Sequence, residues 1–167
     1  MSYQLNGVVI LYNPTYENIN NIFSYVDFVD KLYIYDNSNV DNSKMLLELL
    51  NKKNVIYIRN GENNGISKSI NDVVALIGKS NFSWLLTMDQ DSSFKPDSFT
   101  SFIKQVDLYS DSVAIFTPIH LTKKIYKQVV KVQHQVLMTM TSGNLLNVNI
   151  CKEIGLFDER YFIDSVD

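Results

Sequence analysis

Short apolar runs alternate along this chain with segments in which apolar residues recur every three or four positions. Short, nearly continuous apolar runs are typical of strands that are buried on both faces. They lie at residues 7–12, 31–35, 55–58, 82–88 and 113–116. The helical spacing between them predicts amphipathic helices that cover a sheet. These helices are predicted at residues 19–29, 44–50, 66–77, 99–106 and 149–154, the last ending at Gly155.

Regular alternation of strand and helix predicts an α/β fold with a mostly parallel central sheet flanked by helices. Residues 127–140 alternate apolar and polar positions, which predicts a longer strand or hairpin that leads into residues 141–147. The length of 167 residues favours a single domain spanning 1–167. The chain stops in an apolar and acidic segment, so we expect the natural protein to continue and this sequence to be truncated at the C-terminus.

Polar residues gather where the predicted strands end. Asp36 follows the second strand, Asn64 and Gly65 follow the third, and Asp89 and Asp91 follow the fourth. In an open α/β sheet, ligands bind at the carboxyl ends of the strands. The pattern therefore predicts a ligand crevice in which these residues meet.

The sequence Asp89-Gln90-Asp91 places two carboxylates directly after a buried strand. If the extended conformation persists through Asp91, both side chains project to the same side. Two such carboxylates need a cation or hydrogen-bond donors nearby, and their hard oxygens suit Mg²⁺ or Mn²⁺. The alternative is a polar turn in which one aspartate caps the following helix. The rest of the sequence has to decide between the metal site and the polar turn, because a short motif is weak evidence when it stands alone.

Composition and charge narrow the classes of function. The net charge of −3 and the pI of about 5.3 argue against a nucleic-acid-binding surface. The single cysteine, Cys151, excludes an internal disulfide, and the sequence shows neither a membrane span nor a secretory signal, so we expect a cytoplasmic protein. A basic cluster favours a solvated face, with peripheral contact to the inner face of a membrane as the alternative. The cluster comprises Lys123, Lys124, Lys127 and Lys131.

The sequence lacks the motifs of several common binding sites and reaction classes. No G-x-G-x-x-G follows the first strand, where the chain reads Asn13-Pro14-Thr15, and there is no phosphate-binding G-x-x-x-x-G-K-[ST] loop. The two histidines, His120 and His134, are spaced for neither zinc nor a nucleophilic triad, and structural roles are favoured for both.

Six segments in this order resemble the inverting family 2 glycosyltransferases of GT-A fold, and most of all the bacterial rhamnosyltransferases of polysaccharide biosynthesis. Each segment is weak alone, but nearly every one lies at a strand end. The segments are residues 8–13, 34–38, 63–67, 88–92, 142–144 and 155–159. The resemblance implies a DXD motif and favours the metal interpretation of Asp89 and Asp91.

The resemblance also implies roles for individual residues. Tyr12, Asn13 and Asp36 correspond to the nucleobase and ribose contacts, although Asn37 stands where the family often has a second acidic residue. Asn64 and Gly65 correspond to a loop that passes close to the nucleotide. Asp89 corresponds to the aspartate nearest the ribose and sugar, and Asp91 to the one that holds the metal. Gly143 and Asn144 correspond to the loop below the donor sugar and acceptor.

The implied reaction is metal-dependent transfer of a sugar, with inversion, from a nucleoside-diphosphate donor such as dTDP-rhamnose or a UDP-sugar. The acceptor is a saccharide or a lipid-linked molecule, and the metal is Mn²⁺ or Mg²⁺. A carboxylate must take the proton of the acceptor hydroxyl. The resemblance places this base near the end of the chain, where Asp164 is preferred and Asp167 is the reserve. Two alternatives stay open: a nucleotidyltransferase on a related α/β fold, and a non-catalytic domain that binds sugar nucleotides.

Overall fold

The protein, in a computed structural model, is described over residues 3–78, 83–109, 113–120 and 138–162. Strands and helices alternate through most of these residues. The strands are β1 (Gln4–Leu11), β2 (Lys31–Asp36), β3 (Val55–Arg59), β4 (Ser83–Asp89), β5 (Ile115–Phe116) and β6 (Asn144–Asn147). The helices are α1 (Tyr16–Ile22), α2 (Leu47–Leu50), α3 (Gly65–Ile77), α4 (Ser98–Tyr109) and α5 (Val148–Ile154). None of the helices in these ranges is long and apolar enough to cross a membrane.

The six strands form one sheet in the order β3-β2-β1-β4-β6-β5. Strands β1 to β4 pair with one another in parallel, whereas β6 runs antiparallel to both β4 and β5. The predicted mostly parallel α/β sheet is therefore confirmed. The strand order reverses between β1 and β4, because β2 and β3 extend the sheet on one side of β1 and β4 begins the other side. Such a switch point is where α/β sheets bind ligands.

The core has two layers, one on each face of the sheet. Alternate residues of β1 face opposite sides, so Leu5 and Val9 pack in the layer with α1 and α4 while Val8 packs in the layer with α3 and α5. Trp84 is fully buried in the first layer, as expected for a core residue. The Cys151 thiol is buried in the second layer, and burial raises its pKa.

Two predicted helices are shorter than their apolar spacing indicates. The first ends at Ile22 because the amides of Phe23 and Ser24 donate to carbonyl groups three residues earlier, which tightens the chain into a turn. A separate 3-10 turn spans Val26–Phe28. The second helix is limited to Leu47–Leu50, because Ser43 donates its amide to the Asp41 carboxylate at 2.8 Å and opens a turn there.

The loop that the resemblance implies at Gly143 and Asn144 is partly wrong, because Asn144–Asn147 forms strand β6. Four residues with two apolar positions are too few for a periodic signal, and pairing with β4 is what makes them extended. The predicted fifth strand is reduced to Ile115–Phe116. The strand or hairpin predicted at 127–140 lies mostly outside the described residues, and residues 138–140 have no regular structure.

Candidate active site at the carboxyl edge of the sheet

The Asp89-Gln90-Asp91 segment turns away from the sheet as soon as β4 ends. The amide of Ser92 donates to the carbonyl of Asp89 at 3.2 Å, which closes a turn over these residues. The extended conformation therefore does not persist through Asp91, and alternation along a strand does not set the direction of the two carboxylates. Asp89 is half-buried at the end of the strand, whereas Asp91 is exposed in the turn.

Gln90 joins this turn to the end of β1. Its side-chain oxygen accepts the amide of Tyr12 at 2.9 Å, and its side-chain nitrogen donates to the carbonyl of Tyr12 at 3.2 Å. The carbonyl of Gln90 accepts hydrogen bonds from the side chains of Asn18 and Asn21 on α1, at 3.3 and 3.1 Å. Tyr12 and Asn13 are exposed beside this turn, so the predicted nucleobase segment and the predicted metal ligands lie together.

The predicted sugar loop lies on the other side of the same turn. Ser142 accepts the amide of Asp89 on its hydroxyl at 3.1 Å, and the amide of Gly143 donates to the carbonyl of Thr87 at 2.7 Å. Gly143 has a φ of +84°, and a β-carbon there would lie 3.4 Å from the ring of His120. Asn144 belongs to β6 rather than to a loop, and its buried side chain donates to the backbone of the preceding turn.

Asp36 is fully buried, and protein donors surround its carboxylate. It accepts the amide of Ser38 at 2.9 Å, the side-chain amide of Asn42 at 2.9 Å and the hydroxyl of Tyr57 at 2.8 Å. Burial, followed by the hydrogen bond to Asp36, raises the pKa of Tyr57, so this hydroxyl keeps its proton and remains a donor. In this structure the Asp36 carboxylate stabilises the end of β2 and has no surface open to a ligand.

Asn37, where the family often has an acidic residue, links β2 to the start of α3. Its side-chain oxygen accepts the amide of Asn64 at 3.2 Å, and its side-chain nitrogen donates to the carbonyl of Gly65 at 3.2 Å and to Ser69 at 3.0 Å. A carboxylate could accept the first bond but could not donate the others. The asparagine is therefore suited to this buried position, and sequence reasoning missed its role.

The amide of Asn13 donates to Ser38 at 2.7 Å, and Asn13 itself has a φ of +47°. The ends of β1 and β2 are thus joined directly. Together with the contacts of Gln90, Asn37 and Ser142, this bond connects the loops at the carboxyl edge of the sheet. We call this hydrogen-bonded edge the rim; it comprises residues 12–13, 37–38, 64–65, 89–92 and 142–143. All the predicted donor-binding residues lie on or directly beneath this rim.

The C-terminal segment, residues 155–162, completes the rim by packing on the start of α3. The carbonyl of Phe162 accepts the amide of Ile66 at 2.8 Å, and the carbonyl of Tyr161 accepts the hydroxyl of Ser67 at 2.6 Å. Further along α3, the side chain of Asn71 donates to the carbonyl of Phe157 at 2.9 Å and accepts its amide at 3.1 Å. No pattern in the sequence indicates these contacts.

Both predicted bases, Asp164 and Asp167, lie outside the described residues, and so do His134 and the four lysines of the basic cluster. The last described residue, Phe162, is at the rim. His120 is half-buried against the predicted sugar loop, and burial lowers the pKa of its imidazole, which favours the neutral form.

The donor set at Asp89 and Asp91 fits a divalent cation that is shared with a bound diphosphate. Within the described ranges there is no group of three or more His, Cys, Asp or Glu side chains that could hold a metal by themselves. Mg²⁺ sites commonly use one or two carboxylates, with water and substrate phosphates as the remaining ligands. One half-buried and one exposed carboxylate at a ligand-binding edge match that type of site.

A comparison with known proteins identifies the family. The family model described as Glycosyl transferase family 2 matches residues 12–153. The chain belongs to this family. The match begins at the Tyr12 end of β1 and includes the Asp89–Asp91 turn and most of α5, so it spans the rim except for the C-terminal segment.

A curated relative, the dTDP-rhamnosyl transferase RfbF of Shigella flexneri, is 24% identical over 187 residues. The alignment covers the whole of this chain and 62% of the relative, so the chain spans less than two thirds of the relative's length. Staphylococcus aureus TarS has a TM-score of 0.69 at 16% identity, covering 98% of this chain and 32% of TarS. A Francisella tularensis 2-C-methyl-D-erythritol 4-phosphate cytidylyltransferase has a TM-score of 0.54 at 14% identity, covering 93% and 83% of the two chains. These structures show the fold, which glycosyltransferases of GT-A type share with nucleotidyltransferases.

Proposed function

We propose that this domain transfers a sugar, rhamnose, from a nucleoside-diphosphate donor to a saccharide or lipid-linked acceptor, with inversion and with Mn²⁺ or Mg²⁺. Family membership supports sugar transfer, and the dTDP-rhamnosyl transferase relative supports dTDP-rhamnose as the first donor to test. The observation that carries the proposal is the position of the Asp89–Asp91 turn. It is hydrogen-bonded to the end of β1 at the switch point on one side and to Ser142 on the other.

The hydrogen bonds of the rim also support the proposed cation. In many α/β proteins a diphosphate binds the free amides at a helix N-terminus. Here the first amides of α3 already have acceptors: Gly65 donates to the side chain of Asn63 at 3.0 Å, and Ile66 donates to Phe162. On α1, the Thr15 side chain caps the helix and accepts the amide of Asn18. These contacts support a cation at Asp89 and Asp91 as the proposed source of charge compensation for a diphosphate.

A bound divalent cation would supply Lewis-acid stabilisation of the departing diphosphate. The residues of the chain would bind the donor and accept the proton of the acceptor hydroxyl. Tyr12 and Asn13 would contact the nucleobase side of the donor, and Gly143 would border the sugar. The acceptor oxygen attacks the anomeric carbon as the bond to the diphosphate oxygen breaks, and the nucleoside diphosphate leaves with the electron pair. The proton of the acceptor hydroxyl goes to a carboxylate, for which Asp164 is proposed and Asp167 is the reserve.

A nucleotidyltransferase is the second candidate, because the Francisella structure shares this fold over most of its own length. Such an enzyme would join a nucleotide to a sugar phosphate and release pyrophosphate. The glycosyltransferase would instead release a nucleoside diphosphate. The identity of the released product therefore separates the two reactions.

The test begins with calorimetry of dTDP and UDP binding to the 167-residue chain, with and without Mn²⁺. It continues with dTDP-rhamnose and UDP-sugars in the presence of candidate acceptors, measuring nucleoside diphosphate release. The anomeric configuration of the product is read by NMR. We expect Mn²⁺-dependent nucleotide binding, nucleoside diphosphate as the product, and inversion.

The variant Asp91→Asn should abolish the effect of Mn²⁺ on nucleotide binding without unfolding the chain, because Asp91 is exposed. The control Glu48→Gln removes the same charge from an exposed position on α2 and should leave binding unchanged. Equal Mn²⁺-dependent affinity in the wild type and Asp91→Asn would refute the proposed metal site. Pyrophosphate as the product would refute sugar transfer.

A further inference from the structure

The side chain of Gln90 continues the pairing of β1 with β4 beyond the point at which the backbone of β4 turns away. The last backbone pair of this ladder joins Ile10 to Asp89. One residue later, the side-chain amide of Gln90 both accepts from and donates to the backbone of Tyr12. An amide is among the few side-chain groups that can make this two-way contact, since it carries both a donor and an acceptor.

A second pair of contacts, from helix α1, holds the backbone carbonyl of Gln90. Asn18 and Asn21 are three residues apart on α1 and so lie on the same helix face. Both donate their side-chain amides to the carbonyl of Gln90. Four hydrogen bonds therefore fix the one residue between the two aspartates, and each of them uses a side chain (Gln90, Asn18 or Asn21) that has no assigned metal or substrate role.

We propose that Gln90 is a positioning residue that fixes the directions of the Asp89 and Asp91 carboxylates for a cation-bound diphosphate. It also couples them to Tyr12, so that the nucleobase and the cation bind at a set separation. The proposal rests on the proposed function. Asp91 is exposed and lies in a turn, so its direction depends on how firmly the neighbouring backbone is held. Gln90 supplies that restraint without contacting the cation.

The variant Gln90→Met tests the proposal, because methionine keeps the length of the side chain and removes both hydrogen bonds to Tyr12. The loss of two hydrogen bonds predicts Mn²⁺ binding in the presence of dTDP or UDP that is weaker by about tenfold. Nucleotide binding without metal should change by less than about twofold, because Tyr12 directly follows β1 and the pairing of β1 with β2 and β4 is unchanged. Mn²⁺ binding is read by electron paramagnetic resonance and by calorimetry, so neither readout depends on turnover.

The control is Gln105→Met on the exposed side of α4, which makes the same chemical change away from the rim. A second variant, Asn21→Ala, removes one contact to the Gln90 carbonyl and leaves the Gln90 side chain in place. It should weaken Mn²⁺ binding by about threefold, as expected for one hydrogen bond of modest strength. This variant keeps the proposal testable if Gln90→Met fails to fold.

Unchanged Mn²⁺ affinity in folded Gln90→Met would overturn the proposal, and so would an equal loss of nucleotide affinity with and without metal. If Gln90→Met does not fold, unchanged Mn²⁺ affinity in Asn21→Ala would overturn it. Failure of the proposed function looks different, because the wild-type chain itself would then show no Mn²⁺-dependent nucleotide binding.

Discussion

Replacing Gly65 with alanine should detach the C-terminal segment from α3. Gly65 has a φ of +74°, and a β-carbon on it would lie 2.5 Å from the carbonyl oxygen of Phe162 and 2.7 Å from its ring. Carbon atoms do not approach a backbone oxygen that closely, so the segment has to move. Gly61 provides a matched control, since its φ is +81° but the nearest atom to its β-carbon would be in Arg59 at 3.8 Å.

The positive φ alone costs either alanine variant about 1–2 kcal/mol. Gly61→Ala should lose only this amount. Gly65→Ala should also lose the hydrogen bonds from Ile66 to Phe162 and from Ser67 to Tyr161. At about 1 kcal/mol each, these bonds add about 2 kcal/mol, which corresponds to a roughly 30-fold larger population of chains with the segment detached.

Urea denaturation followed by circular dichroism gives the two free energies of unfolding. Trypsin then reports on the segment itself, because the side chain of Arg160 lies within it and is 88% exposed. Mass spectrometry of cleavage after Arg160 should show faster cutting in Gly65→Ala than in Gly61→Ala, since proteolysis follows the population of the open form. Equal stability and equal cleavage in the two variants would refute the packing of this segment on α3.

Three further predictions concern titratable groups beneath and beside the rim. Burial, and then the hydrogen bond to Asp72 at 2.7 Å, raise the pKa of Tyr35 to about 12. Its contribution to stability is therefore complete below its ordinary pKa of 10.0 and is lost as the pH rises toward 12, and Tyr35→Phe should flatten this decline in urea denaturation. Asp36→Asn replaces a buried acceptor that has three protein donors, and should lower the free energy of unfolding by about 2–3 kcal/mol with or without nucleotide; an unchanged value would contradict the structural role of Asp36. Arg160 lowers the pKa of the Asp158 carboxyl to about 2. The stabilisation of the folded chain by this pair is complete above the ordinary pKa of 3.8 and is lost as the pH falls toward 2. Arg160→Gln should therefore raise the titration midpoint of Asp158, measured by NMR, toward 3.8.

The first four strands could be predicted because strands covered on both faces are apolar along most of their length. Each is also followed by a polar segment, and this pattern predicts that Asp36, Asp89 and Asp91 lie at one edge. Strand β6 could not be found in this way. Its four residues, Asn144–Asn147, become a strand through pairing with β4, which is distant in the sequence.

The hydrogen bonds of the rim could not be predicted for the same reason. Gln90 and Tyr12 are 78 residues apart, and Asn71 and Phe157 are 86 apart. Nothing local distinguishes these amides from the other asparagines and glutamines of the chain. Asp36 shows the opposite case, since its place at a strand end predicts a ligand contact, and only the structure reveals that Tyr57 and two other donors surround its carboxylate.

The packing of residues 155–162 on α3 has a consequence for the order of events on the ribosome. When the nascent polypeptide has emerged from the ribosome as far as Ile154, all six strands described here are available for pairing. The first turn of α3 then lacks its hydrogen bonds to Tyr161 and Phe162, because these residues emerge later. Pairing of the strands and completion of the carboxyl edge are thus separate steps, and a chain that ends before Tyr161 would lack the contacts that cover the start of α3.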